Sequence, residues 1–140
     1  MNCKTMRVIR QKRIYRQDMQ YNKRCLYIFG DNLDRRGFGG QAKEMRGEPN
    51  AFGIATKRSI SHNYPQDYFF DNQLDTITIL EREFRVLDTY LEDRKDDYDI
   101  IVIPLDGIGT GLAQLEQNAP NALAYIEEQF DLLESKYNEQ

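Results

Sequence analysis

From Ile100 to Ile103 the segment Tyr98-Asp99-Ile100-Ile101-Val102-Ile103-Pro104-Leu105 is continuously apolar, and it runs straight into a glycine loop, Asp106-Gly107-Ile108-Gly109-Thr110-Gly111. A strand that is apolar at every position has no solvent face. It must be covered on both sides, the usual state of a strand in a parallel sheet. Parallel neighbours need long crossovers, commonly helices, so the rest of the chain is expected to alternate strands with helices.

The flanking segments fit that expectation. Short β-like runs at Met6–Ile9 and Arg13–Tyr15 precede a stronger one, Cys25–Phe29, which stops at Gly30-Asp31-Asn32. Gly37-Phe38-Gly39-Gly40 then leads into the helix formers Gln41-Ala42-Lys43-Glu44-Met45-Arg46, halted by Gly47. Residues 51–56 read as another strand, followed by a polar and aromatic loop from Lys57 to about Asn72. Ile77, Leu80, Phe84, Leu87 and Leu91 recur at spacings of three and four, predicting a helix from near Thr76 to Asp93 with Thr78 and Glu81 as a capping box. A last helix, capped around Asn118 to Pro120, places Leu123, Ile126, Phe130, Leu133 and Tyr137 on one face. The fold class is α/β with a mixed or largely parallel sheet, in one domain over residues 1–140. Residues 1–24 form a basic extension of strands, and 25–137 form the ligand-binding core.

Composition narrows the functional classes. The 140 residues carry 19 basic and 23 acidic side chains, a net charge of −4, unevenly spread. Eight Lys/Arg and one acid, Asp18, lie within residues 1–25, whereas residues 66–140 hold five basic and eighteen acidic side chains. No apolar stretch approaches the roughly 18 residues of a membrane span, and the basic start has no apolar signal core, so a cytoplasmic protein is expected, in a bacterium or in a phage host. Cys3 and Cys25 have no CxxC partner and His62 is the only histidine, so a Cys/His zinc site cannot be assembled. No metal and no cofactor are expected. The Lys/Arg of residues 4–24, interleaved with Tyr15 and Tyr21, have two readings: a nucleic-acid contact, or a solvated edge hairpin protected from sheet pairing.

Ligands of open α/β sheets gather at the carboxyl ends of strands, and three loops here leave predicted strand ends with small or polar residues. They run from Gly30-Asp31-Asn32 to Gly40, from Thr56 to His62, and from Asp106 to Leu112. Glycines let backbone amides approach phosphate oxygens closely, and the first loop feeds a helix, so the pattern suits a diphosphate. Neither GxxxxGK[ST] nor a GxGxxG after the first strand is present. Lys57 is either a solvated lysine or an amine that meets phosphate or attacks a sugar carbon. Asp31 and Asn32 are turn formers or ribose ligands; Asp106 ends its strand or serves as acid/base. Ser61 with His62 lacks the elbow of a serine hydrolase. Phe38, Phe52, Tyr64, Tyr68, Phe69 and Phe70 cluster nearby, with one of them a candidate to stack on adenine.

In order and separation these segments resemble the macrodomain family of ADP-ribose-binding modules, in particular its branch of small enzymes that remove ADP-ribose from acidic side chains. Gly30-Asp31-Asn32 with Gly37-Phe38-Gly39-Gly40-Gln41-Ala42 is similar to that family's first ligand loop and helix. Ile54-Ala55-Thr56-Lys57-Arg58 with Ser61-His62 resembles the strand end and loop of the branch's reactive lysine. Ile103-Pro104 with Ile108-Gly109-Thr110-Gly111-Leu112 looks like its second phosphate loop. The first stretch also resembles small proteins common in phages and bacteria.

The resemblance implies a three-layer α/β/α fold with a mixed sheet, and an ADP-ribose-like ligand across the strand ends. It carries Gly39, Gly40, Gln41, Gly109, Thr110 and Gly111 into roles around the diphosphate and distal ribose, and Lys57 into attack on the anomeric carbon. An ADP-ribosylated macromolecule would then be a partner. One position departs: Ala113 followed by Gln114 stands where that branch has an aspartate, leaving Asp106 as the candidate acid/base. The alternative is a non-catalytic module that binds or sequesters the nucleotide.

Overall fold

The computed structural model describes residues 6–138, so Cys3 and Lys4 lie outside the described residues. Four strands, β1 (Arg7–Gln11), β2 (Cys25–Asn32), β3 (Ala51–Lys57) and β4 (Ile100–Pro104), form one sheet in the order β1-β4-β2-β3. Every neighbouring pair is parallel. The mixed sheet expected from the sequence is therefore corrected: among the described residues the only antiparallel pairing is an isolated bridge between Lys57 and Tyr68. β4 lies between two partners, and Ile101, Val102 and Ile103 are fully covered, as its unbroken apolar character requires.

Alternate residues of the sheet feed two separate cores. Val8, Leu26, Ile28, Ile54, Ile101 and Ile103 pack with α3 (Thr76–Asp93) and α5 (Pro120–Asn138), through Leu80, Phe84 and Leu87 of the first and Ile126, Phe130 and Leu133 of the second. Tyr27, Phe29 and Val102 face the other way, against Met19 of α1 (Arg16–Tyr21) and Ala42 and Met45 of α2 (Ala42–Met45). Helices thus cover both faces, two long ones on one side and two short ones on the other. No helix among the described residues is long and apolar enough to cross a membrane.

Several local expectations change. Arg13–Tyr15 is not a strand, and the edge hairpin expected of residues 4–24 does not form. Ile14 turns into the smaller core, and Asp18 accepts the Tyr15 amide at 2.8 Å, which starts α1 instead. β2 does not stop at Gly30 but continues to Asn32, with a bulge between Asp31 and Asn32 against β3. α3 has the expected bounds, but its buried stripe takes Ile79 and Glu83 and leaves Ile77 out. Thr78 and Glu81 make no capping box. The first turn is tied down by Thr76, whose hydroxyl donates to the Phe70 carbonyl at 2.8 Å. The last helix begins at its expected cap, as α5, and a single turn that the sequence did not signal, α4 (Leu115–Asn118), precedes it.

Both sheet edges are closed by side chains. The Asn138 amide exchanges two hydrogen bonds with the backbone of Val8 on β1, at 2.8 and 2.9 Å. On β3, Glu83 accepts the Ala55 amide at 2.6 Å and Arg35 donates to the Gly53 carbonyl at 3.3 Å. An open strand edge invites pairing with another chain, and these contacts occupy four of the backbone groups that would do so.

Candidate functional site

A cleft of about 590 Å³ opens at the carboxyl ends of β2, β3 and β4, where parallel-sheet proteins place ligands. Its walls come from the three loops that leave those strands. The first supplies Gly30, Asp31 and Asn32 and then Gly37, Phe38, Gly39, Gly40 and Gln41; the second supplies Thr56, Lys57 and His62; the third supplies Asp106, Gly107, Gly109, Thr110, Gly111 and Leu112. Two residues picked from the sequence stand apart from the wall. Ile108 is wholly buried in the larger core, and Ser61 contributes its carbonyl to Lys57 from behind.

Packing across the mouth locks the loops together. The Gln41 side chain accepts the Gly30 amide at 2.8 Å and donates to the Gly107 carbonyl at 3.0 Å, so it ties the first loop to the third. Gly37 has φ of +98°, and a Cβ there would sit 2.7 Å from Cδ1 of Ile60 in the second loop. A Cβ on Gly39 would sit 2.8 Å from Cδ1 of Leu112 in the third. At Gly37 the positive φ itself favours glycine, whereas at Gly39 the close neighbour is the end of a flexible, half-exposed leucine. Gly111 differs, since nothing lies within 4 Å of where its Cβ would be, and it faces the cleft.

The charged residues are more committed than their sequence context suggests. Asp31 is 8% exposed, and its carboxylate takes the Arg46 guanidinium and stands 3.7 Å from that of Arg35. It also accepts the Asn32 amide at 2.8 Å. This acid is an internal counter-ion. The side-chain amide of Asn32 donates to the Arg36 carbonyl at 2.9 Å, while its Oδ1 is buried without a partner. Thr56 donates its hydroxyl to the Asp31 carbonyl at 3.2 Å.

Lys57 ends β3 and is 5% exposed. Its Nζ donates to the carbonyls of Ser59, at 3.1 Å, and Ser61, and lies 4.5 Å over the ring of Tyr68. Burial pulls its pKa below the ordinary 10.5, opposed by the charges of Asp67 and Asp34. The loop that holds it is organised by Asp67, which accepts the Ser59 hydroxyl at 2.6 Å and the amides of Asn63 and Tyr64 at 3.1 and 2.9 Å. His62 is exposed, with its ring near the Tyr68 hydroxyl. Asp106 is exposed on the cleft wall, and Ala113 also lines the cleft. Of the aromatics, Phe69 is in the core, Phe52 packs on Tyr90 with centroids 4.9 Å apart, and Phe38 stands 64% exposed on the wall.

Sequence reasoning missed Arg36, Arg46, Ser59 and Ile60, all of which line the cleft. For Arg46 the signal is its partner Asp31, since a buried carboxylate needs a cation; nothing in the sequence marked the other three. The three or more acidic, histidine or cysteine groups that a metal ion needs are not brought together among the described residues.

No curated protein and no solved structure significantly matches this chain. A model of a family of unknown function, DUF7831, matches residues 9–129, and the chain belongs to that family.

Proposed function

We propose that the cleft binds ADP-ribose or a closely related adenine-nucleotide sugar, its diphosphate lying against the amides of Gly39–Gln41 and Gly109–Gly111. The observation that carries this reading is the convergence of two glycine loops with a buried lysine on one cleft, at the carboxyl ends of three parallel strands. Two runs of amides beside a lysine suit a diphosphate better than a simple monoanion, because they offer donors to several oxygens at once. Helices on both faces support the three-layer macrodomain arrangement as part of the same proposal; the all-parallel sheet departs from the mixed one. A cytoplasmic location belongs to the same proposal.

Binding without turnover is the form that the geometry favours. Lys57 Nζ is already held by two carbonyls and an aromatic face, contacts that favour the ammonium form although burial pulls the other way. Ala113 offers no carboxylate. The second reading, hydrolysis of an ADP-ribosyl ester on a macromolecule, rests on the lowered pKa of Lys57. Nζ would first lose a proton, with Asp106 as its candidate acceptor. Nζ would then bond to the anomeric carbon as the carbon–oxygen bond breaks and the carboxylate leaves. Water would next bond to that carbon as the carbon–nitrogen bond breaks, releasing ADP-ribose and returning the proton to the amine. A nucleic-acid role is weakened by ion pairing within the basic segment, since Arg10, Arg16 and Arg24 are each bound to acids of the same chain.

Calorimetric titration with ADP-ribose is expected to give a dissociation constant in the micromolar to sub-millimolar range, about 10⁻⁶ to 10⁻³ M. Absence of heat with ADP-ribose, ADP and AMP alike removes the proposal. Release of ADP-ribose from a modified peptide by the native protein, lost in Lys57→Ala, would replace binding with the hydrolytic reading.

A further inference from the structure

Arg46 follows the last residue of α2, and its guanidinium joins three parts of the first loop. Nε donates to the Gly37 carbonyl at 2.6 Å, and the two terminal nitrogens hold the Asp31 carboxylate at the end of β2. The guanidinium also lies 5.6 Å over the ring of Phe29. The loop therefore leaves β2 at Asn32, turns at Gly37, runs through α2 and is tied back to its own starting point. Within α2 the fastenings of the turn are long, 3.2 Å from Ala42 to Gly39 and 3.2 Å from Lys43 to Gly40. The Arg46 bond is the shorter and charged one, and charge-assisted bonds of this kind are the stronger.

A guanidinium has five N–H donors in a planar fork, and three are engaged here. Two remain, on a side chain that is 15% exposed and lines the cleft.

Resting on the proposed reading, we propose that Arg46 is a positioning residue. It holds the Gly37–Gly40 loop so that its amides face the ligand. A lysine keeps the charge but not the fork, and so cannot span Gly37 and Asp31 together.

The test compares the native protein with Arg46→Lys and with the double variant Arg46→Gln, Asp31→Asn, in which the buried ion pair is replaced by two neutral amides. Amide hydrogen exchange is read over residues 42–46, whose amides donate back to the carbonyls of residues 39–42, and over α3 and α5, and ADP-ribose affinity is read by calorimetry. Both variants are expected to exchange about tenfold faster over residues 42–46, with α3 and α5 unchanged, and to bind ADP-ribose about tenfold more weakly. Unchanged exchange over residues 42–46 overturns the inference, as does undiminished affinity with a loosened loop. If the native protein binds no ADP-ribose while Arg46→Lys loosens the loop, the ligand reading fails and the holding role of Arg46 stands.

Discussion

The glycines around the cleft look alike in the sequence and differ in what requires them. Gly109 has φ of +87°, and a Cβ there would collide with Leu115 of the larger core. Alanine at that position combines backbone strain with overpacking and is expected to cost about 1–3 kcal/mol of stability, read by urea unfolding. Gly111 has neither constraint. Gly111→Ala is expected to leave stability unchanged or raise it by about 0.4–1 kcal/mol, yet to weaken ADP-ribose binding by filling the cleft. A Gly111→Ala protein that binds as tightly as the native one would remove that glycine from the ligand site. The sequence located the loops because glycine is readable as a residue type. It could not separate glycine needed for packing from glycine that leaves a cleft open, because the deciding atoms, on Ile60 and Leu115, come from other loops. Arg46 was illegible for a related reason: in a run of helix formers an arginine reads as solvated until its buried partner, Asp31, is known.

Among elements, those with strong internal periodicity were legible and those set by distant partners were not. α3 matches its expected bounds because its apolar residues recur along one stripe. Glu83 enters that stripe only because the free edge of β3 supplies Ala55 as a donor and Arg35 as a counter-ion, with both Glu83 oxygens 2.6 Å from the guanidinium. α1 was not anticipated, and Arg13–Tyr15 before it read as a strand, because its six residues have no stripe of their own, only Met19 buried against the sheet. The Lys57 loop shows the same dependence on one residue. The Ser59 hydroxyl and the amides of Tyr64 and Asn63 hold the Asp67 carboxyl below its ordinary value of 3.8, against the opposing effect of burial. A carboxyl with a lowered folded pKa adds stability that is complete above its unfolded value and is lost as pH falls through the folded one. Stability is therefore expected to be flat above about pH 5 and to decline below 3.8, with Asp75, lowered by its bond to Arg58, adding to the fall. In Asp67→Asn that decline is expected to be shallower, and the Lys57 loop to exchange faster at neutral pH. An acid limb identical to that of the native protein would show that Asp67 does not order the loop.

At the scale of the whole molecule, the charge asymmetry of the sequence turns out to be an internal complementarity. The basic amino-terminal strand and the acidic carboxyl-terminal helix are far apart in the chain and adjacent in the fold, since β1 packs against α5. Arg10 on β1 reaches Glu134 at 2.5 Å, Asp131 at 3.5 Å and Glu127 at 4.0 Å, and lies 5.6 Å over Phe130. One cation therefore serves three acids on one face of a helix, and its side chain is only 21% exposed. Parallel order explains why this was not readable: β1 pairs with β4, not with the next strand in the chain, so composition displayed the two charge blocks without showing that they meet. Arg10→Met keeps much of the apolar stem but leaves Glu127, Asp131 and Glu134 facing one another, and is expected to cost about 1 kcal/mol at low salt. Most of that cost is repulsion and lost attraction at a partly solvated site, which ions screen. Urea unfolding of both proteins at low salt and at about 0.5 M salt should therefore show the difference shrinking as salt rises. A difference that does not change with salt would mean that Arg10 holds β1 to α5 through its contact with Phe130, and that the two charge blocks add nothing to the docking of strand and helix.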